Sequence, residues 1–306
     1  MNFRRLLSAA SFVLLATATA CGPAEFAPGG ADNPPPRSHT SSPIIGGTTD
    51  NSDPAVVLVA YTNFICTGTV IAPRVVLTAG HCTVVDDTCV PPNCSALSPG
   101  GYQIAGGATP FTTGADWLGT VAEVHPNPGY DGNQLKHDNG ILILTADAPV
   151  TPLGWEDTAT PYNPGQQFKA VGYGLANAPT GPDTSGTKRT VTMSISQVIA
   201  DSFSYGGATQ NTCSGDSGGP AIVNGKVIGT VSYGDQNCAQ IGVDMRTDFE
   251  KAFIGQYASP GGTTTTGTKK KHGCSVDGSA SPASALSIAA AFGAFAVVVS
   301  RRRRAA

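Results

Sequence analysis

A serine sits among glycines in the stretch Asn211-Thr212-Cys213-Ser214-Gly215-Asp216-Ser217-Gly218-Gly219-Pro220. Three glycines and a proline break both helix and strand, so this stretch is a tight loop. Such a loop can aim backbone N–H groups at one point while holding the Ser217 hydroxyl outward. Acyl transfer needs that combination, because negative charge grows on a carbonyl oxygen as a nucleophile adds. A serine hydroxyl is a weak nucleophile until a base takes its proton, and imidazole does this best near neutral pH. His81 supplies an imidazole in Leu77-Thr78-Ala79-Gly80-His81-Cys82. The imidazole in turn needs a carboxylate to fix its tautomer. Asp138 offers one in His137-Asp138-Asn139-Gly140-Ile141-Leu142-Ile143-Leu144, directly before a strongly apolar run.

In the order His81, Asp138, Ser217 these motifs resemble those of the trypsin/chymotrypsin family of serine proteases. The resemblance spans residues 44–257 and rests also on Ile44-Ile45-Gly46-Gly47 and Ser232-Tyr233-Gly234. It implies an all-β fold of two six-stranded antiparallel β-barrels, with the site between them and a closing C-terminal helix over residues 248–257. It implies a serine endopeptidase that forms an acyl-enzyme on a peptide or protein substrate, with no cofactor. Ser217 would be the nucleophile, His81 base and then acid, and Asp138 the group that orients His81. The N–H groups of Gly215 and Ser217 would form the oxyanion hole. Ser232 would help hold Asp138, and the backbone of 232–234 would pair with substrate as an added strand. A catalytically inactive binding protein on the same fold is the competing reading.

The resemblance extends to specificity, activation and cross-links. Asn211 falls at the floor of the substrate pocket, where an aspartate attracts Arg or Lys; a neutral amide implies an uncharged or polar side chain instead. Gly234 and Gly242 keep the pocket walls small, while Asp244 near its base brings back a negative charge. Cutting before Ile44 would free an ammonium group to pair with Asp216 and order the oxyanion loop. Pro43 stands where Arg or Lys is usual, which points to a separate activating protease. Cys66 with Cys82, and Cys213 with Cys238, match family disulfides; Cys89 and Cys94 bracket a small local bridge outside the family pattern. The loop 106–116 lacks the paired glutamates that bind calcium in relatives, so no metal is expected.

Strands must position these groups. Stretches 55–60, 67–71, 75–78, 102–105, 168–171, 190–199 and 227–232 are rich in β-branched and apolar residues and read as strands. His125 and His137 read as surface or packing histidines. An extended backbone at 137–138 would send the His137 and Asp138 side chains to opposite sides.

Composition agrees. Of 306 residues only 13% are charged, with 38 Gly and 23 Pro, which favours a loop-rich β protein. A net charge of -3 gives no argument for nucleic acid, and eight cysteines in an exported chain read as disulfides rather than metal ligands.

The ends read as targeting. Arg4 and Arg5, the apolar run 6–16 and Ala18-Thr19-Ala20 make 1–20 a secretory signal peptide. Cys21 is either an acylated lipoprotein cysteine or the first residue left by ordinary cleavage. Residues 21–43, rich in Pro, Gly, Ala and Ser, read as a disordered pro-segment, and 258–272 as a linker. In 273–306, the uncharged run 283–299 just reaches the length of a spanning helix, and Arg301 to Arg304 fit a cytoplasmic stop. This segment resembles the MYXO-CTERM sorting signal of myxobacteria, which implies loss of the helix and anchoring through Cys274. A plain tail anchor through the helix is the other reading. Either leaves a monomeric catalytic domain tethered outside the cytoplasm.

Overall fold

The structure is a computed structural model that describes residues 44–159, 162–177 and 183–263. The signal segment 1–20, the pro-segment 21–43, the linker from 264 onward, the sorting segment 273–306, and with them Cys21 and Cys274, lie outside the described residues.

Two curled antiparallel sheets make up the fold. After a short β1 (Thr48–Thr49) come β2 (Val56–Tyr61), β3 (Phe64–Ala72), β4 (Val75–Thr78), β5 (Tyr102–Gly106), β6 (Trp117–Gly119), β7 (Val121–Pro126) and β8 (Gly140–Leu144). The seven strands β2 to β8 form the first sheet in the order β6-β5-β2-β3-β4-β8-β7. The second half adds β9 (Gly154–Trp155), β10 (Gln167–Gly172), β11 (Arg189–Ser194), β12 (Gln197–Val198), β13 (Ser202–Tyr205), β14 (Pro220–Val223), β15 (Lys226–Gly234) and β16 (Gly242–Arg246). These and β1 give a nine-stranded sheet in the order β1-β11-β10-β14-β15-β16-β13-β12, with β9 lying parallel beside β15. The double-barrel architecture is the expected one, but the strand counts are seven and nine rather than six each. Much of the excess is short pairing: β1, β9 and β12 are two residues apiece.

Strand periodicity explains how the halves meet. Side chains alternate across a strand, so one strand can feed two cores. On β2, Val57 and Val59 fill the first half's core with Cys66, Val76, Ile104 and Leu142. The opposite face, Val56 and Leu58, packs on Val171, Tyr173 and Ile222 of the second half. β4 does the same: Val76 points into the first core, while Val75 and Leu77 join Trp155, Val227, Phe253 and Ile254. Because both faces are buried, β2 and β4 are nearly continuous apolar runs. Each fully buried Val or Leu contributes about 1.5–3 kcal/mol.

Two elements depart from expectation. The stretch 190–199 is not one strand but β11 and β12, broken where the Ile195 N–H turns to the Gln166 carbonyl, 2.9 Å away. The closing helix is the single turn α1 (Lys251–Ile254) rather than 248–257. Its flanks are engaged elsewhere: Asp248 pairs with Arg246, and the Glu250 carboxylate with Asn127 and His137. Among the described residues no helix is long and apolar enough to cross a membrane. Among the described residues three disulfides close loops, Cys66–Cys82, Cys89–Cys94 and Cys213–Cys238.

Candidate active site

The pairing of β4 with β8 sets Thr78 opposite Gly140, so the loop after β4 and the loop before β8 emerge together. His81 rides on the first and Asp138 on the second. The His81 backbone N–H donates to Asp138 Oδ1 at 2.7 Å, and its Nδ1 lies 2.9 Å from Oδ2. Ser232, on β15 of the other half, donates its hydroxyl to the same Oδ2 at 2.5 Å. Asp138 is buried while His81 stays partly exposed. Burial alone would push the Asp138 carboxyl up, but the adjacent imidazole and the hydrogen bonds from His81 and Ser232 outweigh it and hold it below the usual carboxylate range. For His81, burial disfavours the imidazolium, yet the Asp138 charge prevails and raises its pKa.

Asn139 and Gly140 have structural reasons. Asn139 is fully buried, and its Nδ2 donates to Thr230 Oγ1 at 2.5 Å, tying the acid's loop to β15. A Cβ at Gly140 would lie 2.5 Å from the Thr83 methyl, so no larger residue fits there.

The nucleophile loop is shaped by backbone that favours glycine: φ is +96° at Gly215 and +80° at Gly218. Thr67 on β3 clamps it. Its N–H donates to the Ser217 carbonyl at 2.8 Å and its hydroxyl to the Gly215 carbonyl at 2.9 Å. The N–H groups of Gly215 and Ser217 find no acceptor among the described residues, so both remain available to an incoming oxygen. Ser217, Gly215 and His81 line one cleft of about 480 Å³. The Ser217 hydroxyl makes no hydrogen bond among the described residues. Catalytic hydrogen bonds often tighten only once substrate is bound.

Residues 44–253 match the protein-family description Trypsin. The chain belongs to the trypsin family. It is 28% identical over 193 residues to a trypsin of Saccharopolyspora erythraea, covering 58% of this chain and 78% of that one. It is also 25% identical over 209 residues to trypsin alpha of Drosophila erecta and 26% over 212 residues to trypsin alpha of Drosophila melanogaster, each match covering 62% of this chain and 77% of the relative.

In this trypsin-family chain a second cavity, about 270 Å³, opens beside Ser217. Thr212, Ser214, Ser232, Tyr233 and Gly234 line it, as do the bridged Cys213 and Cys238. Asn211 and Gly242 are buried and do not line it. The Asn211 side chain folds back, its Oδ1 accepting from the Thr212 N–H at 3.0 Å, and its backbone N–H donates to the Ile45 carbonyl. Asp235, at the cavity rim, accepts from the N–H groups of Ala239, Gln240 and Ile241, which hold its carboxyl down at about 2.

Ile44 and Asp216 lie in the second half. The Ile44 side chain is fully buried in the cluster of Phe168, Phe203 and Tyr205. Its φ of +41° is a strained value for a β-branched residue. Asp216 accepts N–H bonds from Gly174 at 2.8 Å and Cys213 at 2.9 Å, but no cationic side chain forms an ion pair with it among the described residues. Burial pushes its carboxyl up to about 6, against the pull of those bonds and of the Arg189 charge.

The remaining histidines lie apart. His137 does not sit on extended backbone, as the sequence suggested; its φ is +51°, which turns the ring to Glu250 Oε1 at 2.8 Å and onto Phe249. His125 pairs with exposed Glu123. Cys66, His81 and Cys82 converge closely enough to suggest a metal trio, but the two sulfurs are bonded to each other and offer no thiolate.

Sequence reasoning missed Thr67, Thr212 and Tyr205. Thr67 sits in a strand with no local mark of its role; the signal for Thr212 was adjacency to Asn211, and for Tyr205 an aromatic just before a Gly-rich loop.

Proposed function

We propose that this chain is an exported serine endopeptidase acting through an acyl-enzyme. The observation that carries the reading is convergence: the Asp138–His81 pair faces the same cleft as Ser217 and the free N–H groups of Gly215 and Ser217. Ser217 Oγ adds to the substrate carbonyl carbon while His81 Nε2 takes its proton. The new oxyanion accepts from the two N–H groups, which have no other acceptor among the described residues to give up. The imidazolium then gives its proton to the leaving amine, and the C–N bond breaks to leave the ester of Ser217. Water, deprotonated by His81, reverses the sequence and frees the acid. Asp138 fixes the tautomer with Nε2 unprotonated and stabilises the imidazolium.

Three disulfides and a trypsin-type fold are those of a secreted protein. In this reading 1–20 directs export and 21–43 is removed before Ile44. The new ammonium then meets the Asp216 carboxylate that burial leaves without a cationic partner. The segment 273–306, or Cys21, tethers the domain to the envelope, where it acts on peptide or protein substrates as a monomer.

A fluorophosphonate probe tests this. The active enzyme loses reactivity on labelling, and mass spectrometry places the adduct on Ser217. An intact, processed protein that stays unlabelled is a binding protein on a peptidase fold, and the reading is wrong.

A further inference from the structure

Behind the 270 Å³ cavity a buried hydrogen-bond chain leads to a carboxylate. Thr212, in the cavity wall, has Oγ1 2.9 Å from the Tyr205 hydroxyl. That hydroxyl donates to Asp244 Oδ1 at 2.5 Å. All three residues are buried. Two further atoms here, Asp244 Oδ2 and Asn211 Nδ2, have no partner among the described residues, so this layer carries more polar capacity than its own contacts use.

The tyrosine hydroxyl has one proton, and this constrains the chain. When Asp244 is ionised, Tyr205 must donate to it. The Thr212 hydroxyl then donates to Tyr205 and turns its lone pairs toward the cavity. When Asp244 is protonated, its O–H can donate to Tyr205, Tyr205 donates to Thr212, and the Thr212 proton points into the cavity. Loss of one proton from Asp244 to solvent therefore fixes the direction of every bond in a chain that the protonated form lets reverse.

We propose that Asp244 is a positioning residue for specificity, which through Tyr205 and Thr212 sets whether the cavity presents an acceptor or a donor to the substrate side chain. With the carboxylate ionised, the pocket takes side chains ending in N–H donors, lysine above all. With it protonated, that advantage is lost and apolar side chains compete. The inference rests on the peptidase reading above.

The switch falls in a useful range. Burial, with the Asp216 charge adding to it, pushes the Asp244 carboxyl up to about 8, against the hydrogen bond from Tyr205. The titratable groups facing it are Tyr205 on β13 and Asp216 in the nucleophile loop. Its cross-strand neighbours Phe203 and Val231, and Gly229 packed against its Cβ, carry no charge.

The test uses two fluorogenic peptides identical except for lysine or leucine at the residue whose carbonyl is attacked. Their kcat/KM ratio is measured from pH 6 to 9.5, where the lysine stays charged. The ratio cancels the shared triad. In the wild type, the lysine preference rises by about tenfold in all across this range as Asp244 ionises, the worth of one hydrogen bond. In Tyr205→Phe, Thr212→Val and Asp244→Asn the ratio is flat. A flat ratio in the wild type overturns the proposal, as does an unchanged rise in Tyr205→Phe and Thr212→Val. Fluorophosphonate labelling counts competent sites in each variant. A wild type that does not label sinks the peptidase reading instead, which keeps the two failures apart.

Discussion

The Ser232 hydroxyl and the His81 imidazole share one oxygen of Asp138, at 2.5 and 2.9 Å, while the other oxygen takes the His81 backbone N–H at 2.7 Å. Three donors from two halves of the molecule thus fix the carboxylate in one orientation. Asp138→Asn would turn an amide donor toward groups that are themselves donors. Turnover should fall by about 10⁴-fold with little change in fold. The Asp138 charge raises the His81 pKa, so its loss should also move the acid limb of the pH–rate profile to lower pH. A full pH profile of kcat/KM checks both outcomes.

Asp216 should make the unprocessed chain less stable as pH rises. Its folded pKa, about 6, lies above the ordinary carboxylate value, so the folded state holds the proton more tightly than the unfolded one. Stability should therefore decline from about pH 4 to pH 6 by roughly 3 kcal/mol. Processing before Ile44, by supplying an ammonium, should reverse the slope. Urea unfolding at pH 4.5 and 7 of the unprocessed wild type and Asp216→Asn measures it; the variant should lack this share of the loss.

Cys213 and Cys238 close a 25-residue separation and both line the cavity beside Ser217. Replacing both with serine should cost about 3 kcal/mol on the chain-entropy account. Because the bridge joins two walls of the cavity, KM should rise more than kcat falls. Thermal unfolding paired with steady-state kinetics separates the two effects.

Asp235 organises the loop after β15 by accepting from Ala239, Gln240 and Ile241. Asp235→Ala leaves those N–H groups to water and loosens the rim. Amide hydrogen exchange at 239–241 should quicken, and kcat/KM should drop about tenfold through misplaced substrate. Unchanged exchange would show that the loop holds itself.

Much of the fold was legible because its cause is local. Val75 to Thr78 reads as a strand from its own side chains and is one. So does the run after Asp138, since a continuous apolar segment beside Gly suits a strand buried on both faces. Other elements depended on distant partners. The run 190–199 alternates throughout, yet it breaks because Gln166 and Ser204 capture its backbone at 195–196. The helix after β16 keeps one α turn, beyond which the N–H groups of Gln256 and Tyr257 bond only three residues back, to Phe253 and Ile254.

By itself the sequence determined the chemistry on offer: an imidazole, a carboxylate and a hydroxyl in fixed order, with glycines where the backbone must turn left-handed. Those properties belong to single residues and their neighbours. Only the tertiary structure decided which groups touch. Thr67 reaches Gly215 across 148 residues, Asn139 Nδ2 donates to Thr230, and Asp244 answers to Tyr205 and Thr212. A hydrogen bond forms between atoms within about 3 Å, and distance along the chain carries no information about that separation until strands have paired and the two sheets have closed on each other.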